Sequence, residues 1–480
     1  MLRLTFTIAG NTFKEAIRQP IYFVLVLAGS LLQIPNIALA AYTFGFSSDD
    51  TEVDADDKLL LDMGLATVFV VSTLLAAFIA TNVLSREIEN KTALTVISKP
   101  VGRPAFVIGK YLGAAGAILM ATFTMLCFFQ LALRHEVMPP ARHSIDLPVV
   151  TFAALAILIS VGVGIWGNYF YNWVFSSVAT ALLAPTSFIA FLLTQVIGKE
   201  WQILDRTNEF KAWVDENASP VAALANIHAM PPPTEWWKPE VALACIAVML
   251  ALLVLTALAV AVSTRLGQVM TIVVCAGVFL LGLLSNYLLG QHAYQNTPIS
   301  RVTEVSLDQS TDEDFDDPED RLTITLQQSP DTELIPGTPI YFAPNPAGLN
   351  LINASQARTY QGDITNPTHL NTPELGRAVL IESVDREANT ITLVNAGGAP
   401  LQRDPAQGDY VFLSTTTVDP AALAAWSVIP NLQAFWLIDA ITQGHPIPWR
   451  YMALLIAYTA AQITGLIALA IMLFQSRDVG

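Results

Sequence analysis

Long apolar runs alternate with short polar segments over most of this chain. Eight of the runs are long enough for a helix to cross the hydrocarbon core of a bilayer, which takes about 20 residues. They lie near residues 21–46, 63–84, 106–133, 149–168, 174–197, 241–263, 267–289 and 451–474. The pattern predicts an α-helical polytopic membrane protein with about eight transmembrane helices.

The stretch before the first span, residues 1–20, has the spacing of an amphipathic helix. One predicted face carries Phe6, Gly10, Phe13 and Ile17, and another carries Thr7, Asn11, Lys14 and Arg18. A basic amphipathic helix of this kind is expected to lie on the membrane surface. An ordinary basic flank remains the alternative.

Residues 291–428 have a different pattern from the rest. Short runs of alternating polarity are separated by Gly, Pro and Asn, which is typical of several short strands. We expect an inserted extracytoplasmic all-β domain here, which includes an acidic linker at Asp312–Asp320 ahead of most of the short runs. Within this domain, residues 376–395 are predicted to form a hairpin that turns near Asp385–Asn389.

Two further segments complete the predicted organisation. The tryptophan-rich loop 198–239 is expected at the membrane interface, where tryptophan is enriched. Ile429–Ile441 is predicted to form an interfacial helix that leads into the last span. The predicted regions are thus a surface helix at 1–20, a helical domain at 21–290, a β domain at 291–428, and a final region at 429–480.

Composition supports the membrane assignment. The 480 residues are 53% hydrophobic and 13% charged, with a mean hydropathy of +0.50. The net charge of −16 argues against a nucleic-acid partner, which needs a basic face. The acidic stretch Asp49–Asp57 is expected to be a loop on the outside, and the basic stretch 85–105 is expected inside. This orientation predicts a multi-pass protein of the cell (inner) membrane with both termini in the cytoplasm.

Catalytic and metal-binding patterns give no positive signal. The sequence has no phosphate-binding GxxxxGK[ST] loop, and its histidines and three cysteines do not have ligand spacing. A calcium loop at Asp308–Glu319 is disfavoured because it lacks the glycine needed at position six. The middle parts of the spans contain no charged residue or histidine, so no internal ion-coupling group is visible. We therefore expect no catalytic residue, cofactor or metal in this chain.

The segment between the second and third spans, residues 85–111, carries the most informative motif. An acidic start is followed by an apolar helical run, a Lys-Pro step, an arginine, and a Gly-Lys pair that enters the third span. The residues concerned are Glu87, Glu89, Lys91, Thr92, Leu94, Ile97, Lys99, Pro100, Arg103, Gly109 and Lys110.

This order resembles the coupling segment of the permease subunits of type-2 ABC exporters. That segment reads Glu-x-Glu-x-Gly-Thr, Leu-Leu, Ser-Pro, Arg, Gly-Lys, and the chain departs from it at Lys91, where Gly is commoner. The resemblance implies that residues 85–105 dock on a separate cytoplasmic ABC ATPase, which binds ATP and Mg²⁺. It also implies a second permease subunit, identical or paralogous, and an elbow role for the first helix.

One other functional class stays open at this point, and two more are disfavoured. The spans could anchor the β domain as an extracytoplasmic binding or assembly module that transports nothing. An ion-coupled carrier is disfavoured by the uncharged spans, and a membrane enzyme by the lack of a catalytic pattern. The favoured interpretation is a transporter subunit in the lipid bilayer, with ATPase activity in a partner chain.

Overall fold

The structure is a computed structural model, and its chain divides into two compact units. The first comprises Met1–Leu283 with Pro430–Gly480, and the second comprises Leu284–Ile429. The structure describes residues 2–40, 51–82, 102–135, 145–203, 239–307, 315, 317–318, 320–328, 334–348, 351–353, 360–386, 388–399, 401, 403–442 and 447–475.

Helices form the described part of the first unit. They are α1 (Leu2–Ile17), α2 (Pro20–Leu31), α3 (Gln33–Ala40), α4 (Thr51–Ala80), α5 (Arg103–His135), α6 (Leu147–Tyr171), α7 (Phe175–Val196), α8 (Pro239–Ser263) and α9 (Gln268–Leu283), followed after the second unit by α13 (Ile438–Thr442) and α14 (Trp449–Gln475).

Seven apolar helical stretches of the described chain are long enough to cross a membrane. They are Pro20–Ala40, Lys58–Ala80, Arg103–His135, Leu147–Tyr171, Phe175–Val196, Glu240–Ser263 and Trp449–Gln475. An eighth is obtained if the broken pair Gln268–Leu283 and Asn286–Ala293 is taken as one span. The helical membrane architecture is therefore confirmed, with a break in the seventh predicted span.

Helices α5 and α8 lie at the centre of the first unit. Alanines on both are fully or almost fully buried, among them Ala117, Ala121, Ala247 and Ala251. Small side chains let neighbouring helices approach closely, which matters in a bilayer because lipid is as apolar as the helices themselves. Helices such as α6 and α14 are much less buried and lie at the apolar periphery of the unit.

The first helix forms as predicted, but its faces differ from the predicted ones. Phe6 is 67% exposed, whereas Thr5, Thr12 and Ala16 are buried. The cause is its neighbour α5, which presents two glycines to α1, so that small residues of α1 make the contact. The acidic stretch assigned to a loop at Asp49–Asp57 is helical from Thr51 onward.

The second unit contains a six-stranded antiparallel sheet in the order β4-β7-β2-β3-β6-β5. Its strands are β2 (Ser300–Leu307), β3 (Arg321–Leu326), β4 (Tyr341–Ala343), β5 (Ala378–Asp385), β6 (Thr390–Ala396) and β7 (Tyr410–Phe412); β1 (Tyr294–Gln295) pairs separately with β8 (Thr417–Val418). A π-helix at Asn286–Gly290, a 3₁₀ turn at Pro373–Leu375 and the short helices α10 (Gln291–Ala293), α11 (Pro367–Leu370) and α12 (Pro420–Val428) accompany it. The region is thus rich in sheet but also contains helices.

The predicted hairpin is confirmed. Strands β5 and β6 pair antiparallel, and Asn389 takes the left-handed conformation in the turn, at φ 52°. Strand β2 was missed, although it lies in the middle of the sheet. The acidic run was predicted to be a linker, but its Phe315 is fully buried in the sheet's apolar core.

The stretch predicted as one interfacial helix at Ile429–Ile441 is not one helix. It consists of a 3₁₀ turn at Gln433–Phe435 and the short helix α13. The chain bends here because Leu432 packs against Gly282 and donates its backbone N–H to the carbonyl of that glycine at 3.1 Å. The apolar side chains of this stretch, including Phe435 and Ile438, are buried in the helical core.

Candidate functional site

The predicted coupling residues fall largely in an undescribed part of the chain. Nine residues were assigned to ATPase coupling, of which eight lie outside the described residues: Glu87, Glu89, Lys91, Thr92, Leu94, Ile97, Lys99 and Pro100. The ninth, Arg103, opens α5. The site is therefore defined by the two flanks of the segment. The upstream flank ends at residue 82, and the downstream flank begins at residue 102.

The downstream flank is attached to the end of the last helix. The Arg103 guanidinium donates through Nη1 to the backbone carbonyl of Gln475 at 2.8 Å. One turn further along, the rings of Phe106 and Phe474 stack with their centroids 5.6 Å apart. A cation on a terminal carbonyl also suits the negative end of a helix dipole. These two contacts join the start of α5 to the end of α14.

The first helix packs closely on the same part of α5. A Cβ atom at Gly109 would lie 2.8 Å from the Ile8 side chain, and one at Gly113 would lie 2.5 Å from the carbonyl oxygen of Ala9. The backbones can approach this closely only because both positions are glycine. As a result, α1 and α5 have no room to slide past each other without breaking the contact.

A charged pair strengthens this contact. Lys110 is 6% exposed in its side chain, and its Nζ lies 4.0 Å from a carboxylate oxygen of Glu15. The same ammonium group lies 5.6 Å from the centroid of the Phe106 ring, in cation–π range. Lys110 therefore interacts with α1 and with the ring that stacks on α14.

The upstream flank is attached to the turn between α1 and α2. Asn82 donates through its side-chain amide to the Gln19 side-chain oxygen at 2.9 Å. Ser176, at the start of α7, donates to the Arg18 carbonyl at 2.7 Å. The upstream flank thus bonds to the α1–α2 turn, whereas the downstream flank packs on α1 and bonds to the end of α14. We call the residues of these contacts the flank cluster: Glu15, Arg18, Gln19, Asn82, Arg103, Phe106, Gly109, Lys110, Gly113, Ser176, Phe474 and Gln475.

Most of the flank cluster was not predicted from sequence. Arg103 was assigned to docking, whereas the structure places its side chain on α14. The glycine pair could have been recognised, since small residues four positions apart commonly mark close helix contacts. The partners of Asn82 and Ser176 carry no sequence signal, because each bond joins residues more than 60 positions apart.

A second polar cluster joins the opposite end of α5 to α6 and α7. Arg134 and Asp146 are 1% and 0% exposed in their side chains, with Nε and Oδ2 3.6 Å apart. Arg134 also donates through Nη2 to the Ile197 carbonyl at 2.6 Å. Asp146 caps α6 by accepting the Val149 backbone N–H at 3.2 Å. This pair fixes three helix ends relative to one another.

The described residues contain no group of three or more His, Cys, Asp and Glu side chains placed to hold a metal ion. Most of the disfavoured calcium loop at Asp308–Glu319 lies outside the described residues. Two acidic side chains of the described sheet region form ion pairs with arginines. Arg321 bonds Glu382 at 2.8 Å, and Arg403 bonds Asp409 at 2.7 Å.

Comparison with known proteins agrees with this architecture. Residues 6–200 match the family model described as "ABC-2 family transporter protein". The resemblance drawn from the coupling motif is therefore confirmed for this part of the chain, which includes α1, both flanks and the segment between them. No curated protein and no solved structure matches the chain.

Residues 6–200 are therefore similar to the membrane component of ABC transporters, and the apolar helices of the described chain agree with a multi-pass membrane protein. The match covers fewer than half of the 480 residues, and the sheet region lies beyond it.

Proposed function

We propose that this protein is the membrane-spanning permease subunit of a type-2 ABC exporter in the cell (inner) membrane. In this proposal both termini lie in the cytoplasm and the sheet region lies outside. Two permease subunits, identical or paralogous, pair with two cytoplasmic ATPase subunits, which bind ATP and Mg²⁺. The family match over residues 6–200 carries the proposal.

Residues 85–105 form the proposed docking element. Glu87, Glu89 and Lys91 make the polar contacts with the ATPase, together with Thr92, Lys99 and Pro100 at the edges. Leu94 and Ile97 fill the apolar part of a groove. Arg103 lies near the end of the element, and its hydrogen bond to the Gln475 carbonyl also connects the element to the end of α14.

The flank cluster gives this element a physical means of transmitting force. Its upstream end bonds the α1–α2 turn through Asn82, and its downstream end packs on α1 through Gly109 and Gly113. Packed protein interiors resist compression, so a displacement of the element is passed on to the helices it joins. Closure of the ATPase dimer would therefore move α1, α4 and α5 together.

A charge-reversal pair tests the docking element. In Glu87→Lys with Glu89→Lys, opposite charges replace both acidic contacts, so substrate-coupled ATP hydrolysis should fall while the permease remains folded. The matched control is Glu304→Lys with Glu374→Lys, which reverses two exposed carboxylates of the sheet region. Both variants change the net charge by the same amount, so a general charge effect would appear in both.

The measurement begins with a pull-down of the tagged chain from mild detergent. We expect a stoichiometric ATPase with a phosphate-loop signature in the wild-type and control samples, and its loss or uncoupling in the docking variant. Normal assembly and coupled ATPase activity in the Glu87/Glu89 variant would refute the docking role.

The same preparation separates the alternative class. Recovery of the wild-type chain without any ATPase, or with extracytoplasmic partners alone, would favour the membrane-anchored binding or assembly module. Function that survives deletion of residues 291–428, with 290 joined to 429, would favour the permease.

A further inference from the structure

An open-sided cavity of about 500 Å³ lies within the first unit, bounded by α2, α3, α5 and α6. It is close to the ends of these helices where α5 stops at His135 and α6 is preceded by Ile145. Its volume falls in the usual range for ligand pockets, about 300–1,000 Å³. The described residues that line the cavity do not include any residue of the flank cluster.

The wall of the cavity consists mainly of apolar side chains. Three of the described lining residues are polar: Ser30, Gln33 and His135. Ser30 donates to the Val26 carbonyl of its own helix at 2.9 Å. Gln33 donates to the Gly64 carbonyl and accepts from Asn36, both at 3.3 Å. His135 also interacts with a neighbouring group.

These internal bonds decide the chemistry of the ligand. The polar groups of Ser30 and Gln33 are already bonded within the protein, so binding to them would require breaking an existing hydrogen bond. The remaining described wall is aliphatic or aromatic, and an apolar ligand buries it without that loss. A polar or charged small molecule would be desolvated here without compensation.

The residues around the opening of the cavity indicate whether a ligand would enter from water or from the bilayer. Apolar side chains at its rim are well exposed: Ile34 by 64%, Ile145 by 52% and Val150 by 47%. Ile34 and Val150 belong to candidate membrane spans, and exposed apolar side chains on such spans favour contact with bilayer hydrocarbon. A void left empty would forfeit the dispersion contacts of its lining, whereas a lipid chain can enter from the side and restore them.

We propose that this cavity is a binding site for a hydrocarbon chain of a membrane lipid. The site does not depend on the ATPase partner or on transport. An acyl chain lies against α3 and α6, with its contacts made by the side chains of Ile34, Ile37, Ala153 and Ile157. Bound lipid would stabilise the arrangement of α2, α3, α5 and α6, since a ligand that binds only the folded state shifts the equilibrium toward it.

The test is photolabelling of the full chain in phosphatidylcholine vesicles. A trace of phosphatidylcholine with a diazirine on one acyl chain is included, and the labelled peptides are located by mass spectrometry after irradiation. We expect labelling at the cavity residues of α3 and α6 well above that at the freely exposed face of α9, which includes Val269 and Leu280.

Two filling variants and one control make the test specific. Ala153→Phe from α6 and Ala38→Phe from α3 each fill the cavity from a different wall, so a folding defect in one does not decide the result. Leu158→Phe adds the same side chain to α6 at a site that is 67% exposed and outside the described lining.

Each outcome has one meaning. Loss of the cavity label to the level of α9 in both filling variants, with the label retained in Leu158→Phe, supports the proposal. Labelling at the cavity no stronger than at α9 in the wild type overturns it, as expected if a second copy of the chain covers the opening. A strong label that both filling variants leave unchanged overturns it as well.

Discussion

The buried pair Arg134–Asp146 allows a quantitative test of how the helix ends are held together. Both side chains are almost completely removed from solvent, and their nearest charged atoms are 3.6 Å apart. At an effective dielectric constant of about 20, Coulomb's law gives an attraction of about 5 kcal/mol at this distance. Much of that attraction is offset by the cost of removing both charges from water.

The perturbation is Arg134→Met, which keeps an unbranched apolar side chain but leaves Asp146 as a buried, unpaired carboxylate. Breaking a buried ion pair from one side typically costs about 3–5 kcal/mol. The second variant, Asp146→Asn, removes the charge but retains a side-chain oxygen that can still accept from the Val149 backbone N–H. Combining the two substitutions removes both charges and should recover a large part of the loss.

The assay is reversible unfolding of the full chain in mixed micelles of mild detergent and dodecyl sulfate, followed by circular dichroism. We expect the double variant to be more stable than Arg134→Met alone. Arg450→Met is the control, because Arg450 is exposed and such substitutions usually change the free energy of unfolding by less than about 0.5 kcal/mol. Additive losses in the double variant, or an Arg134→Met protein as stable as the wild type, would refute the reasoning.

Two other predictions concern the close helix contact and the sheet region. Gly113→Leu should destabilise the chain by about 1–3 kcal/mol through overpacking, whereas Gly10→Leu should not, since a Cβ at Gly10 meets no atom within 4 Å; equal unfolding midpoints for the two variants would contradict this. Two hydrogen bonds from Thr365, one from its backbone N–H and one from its hydroxyl, lower the pKa of Asp363 below its ordinary 3.8. Its stabilising contribution should be fully present above that value and lost as the pH falls through the lowered folded pKa. Asp363→Asn should therefore lower the thermal midpoint above pH 4 and converge on the wild type in stronger acid; a constant difference across that range would be inconsistent with the shift.

Span positions were the most predictable part of the fold. A bilayer requires each crossing helix to be continuously apolar over about 20 residues, and that requirement is visible in any window of the sequence. The predicted runs near 106–133 and 149–168 correspond to α5 and α6 with shifts at their ends. The seventh run differed, since hydropathy does not record the break after Leu283.

Strands were predictable where both neighbours in sequence pair with each other. The hairpin of β5 and β6 is local, and its turn residues mark it. Strand β2 pairs with β3 and with the distant β7, and its outward positions are polar, so alternation alone did not single it out. The burial of Phe315 could not be predicted from the local sequence, because the neighbouring residues are mostly acidic and suggest an exposed linker.

The sequence by itself determined that this is a polytopic membrane protein with a sheet-rich region, and its motif between the second and third spans indicated the permease family. These properties depend on hydrophobicity and residue order, which act locally along the chain. Only the tertiary structure decided which face of α1 is buried, that Arg103 binds the end of α14, and that Arg134 meets Asp146. Each of these is a pairing between surfaces far apart in sequence, and the close packing of the helices selects the partner.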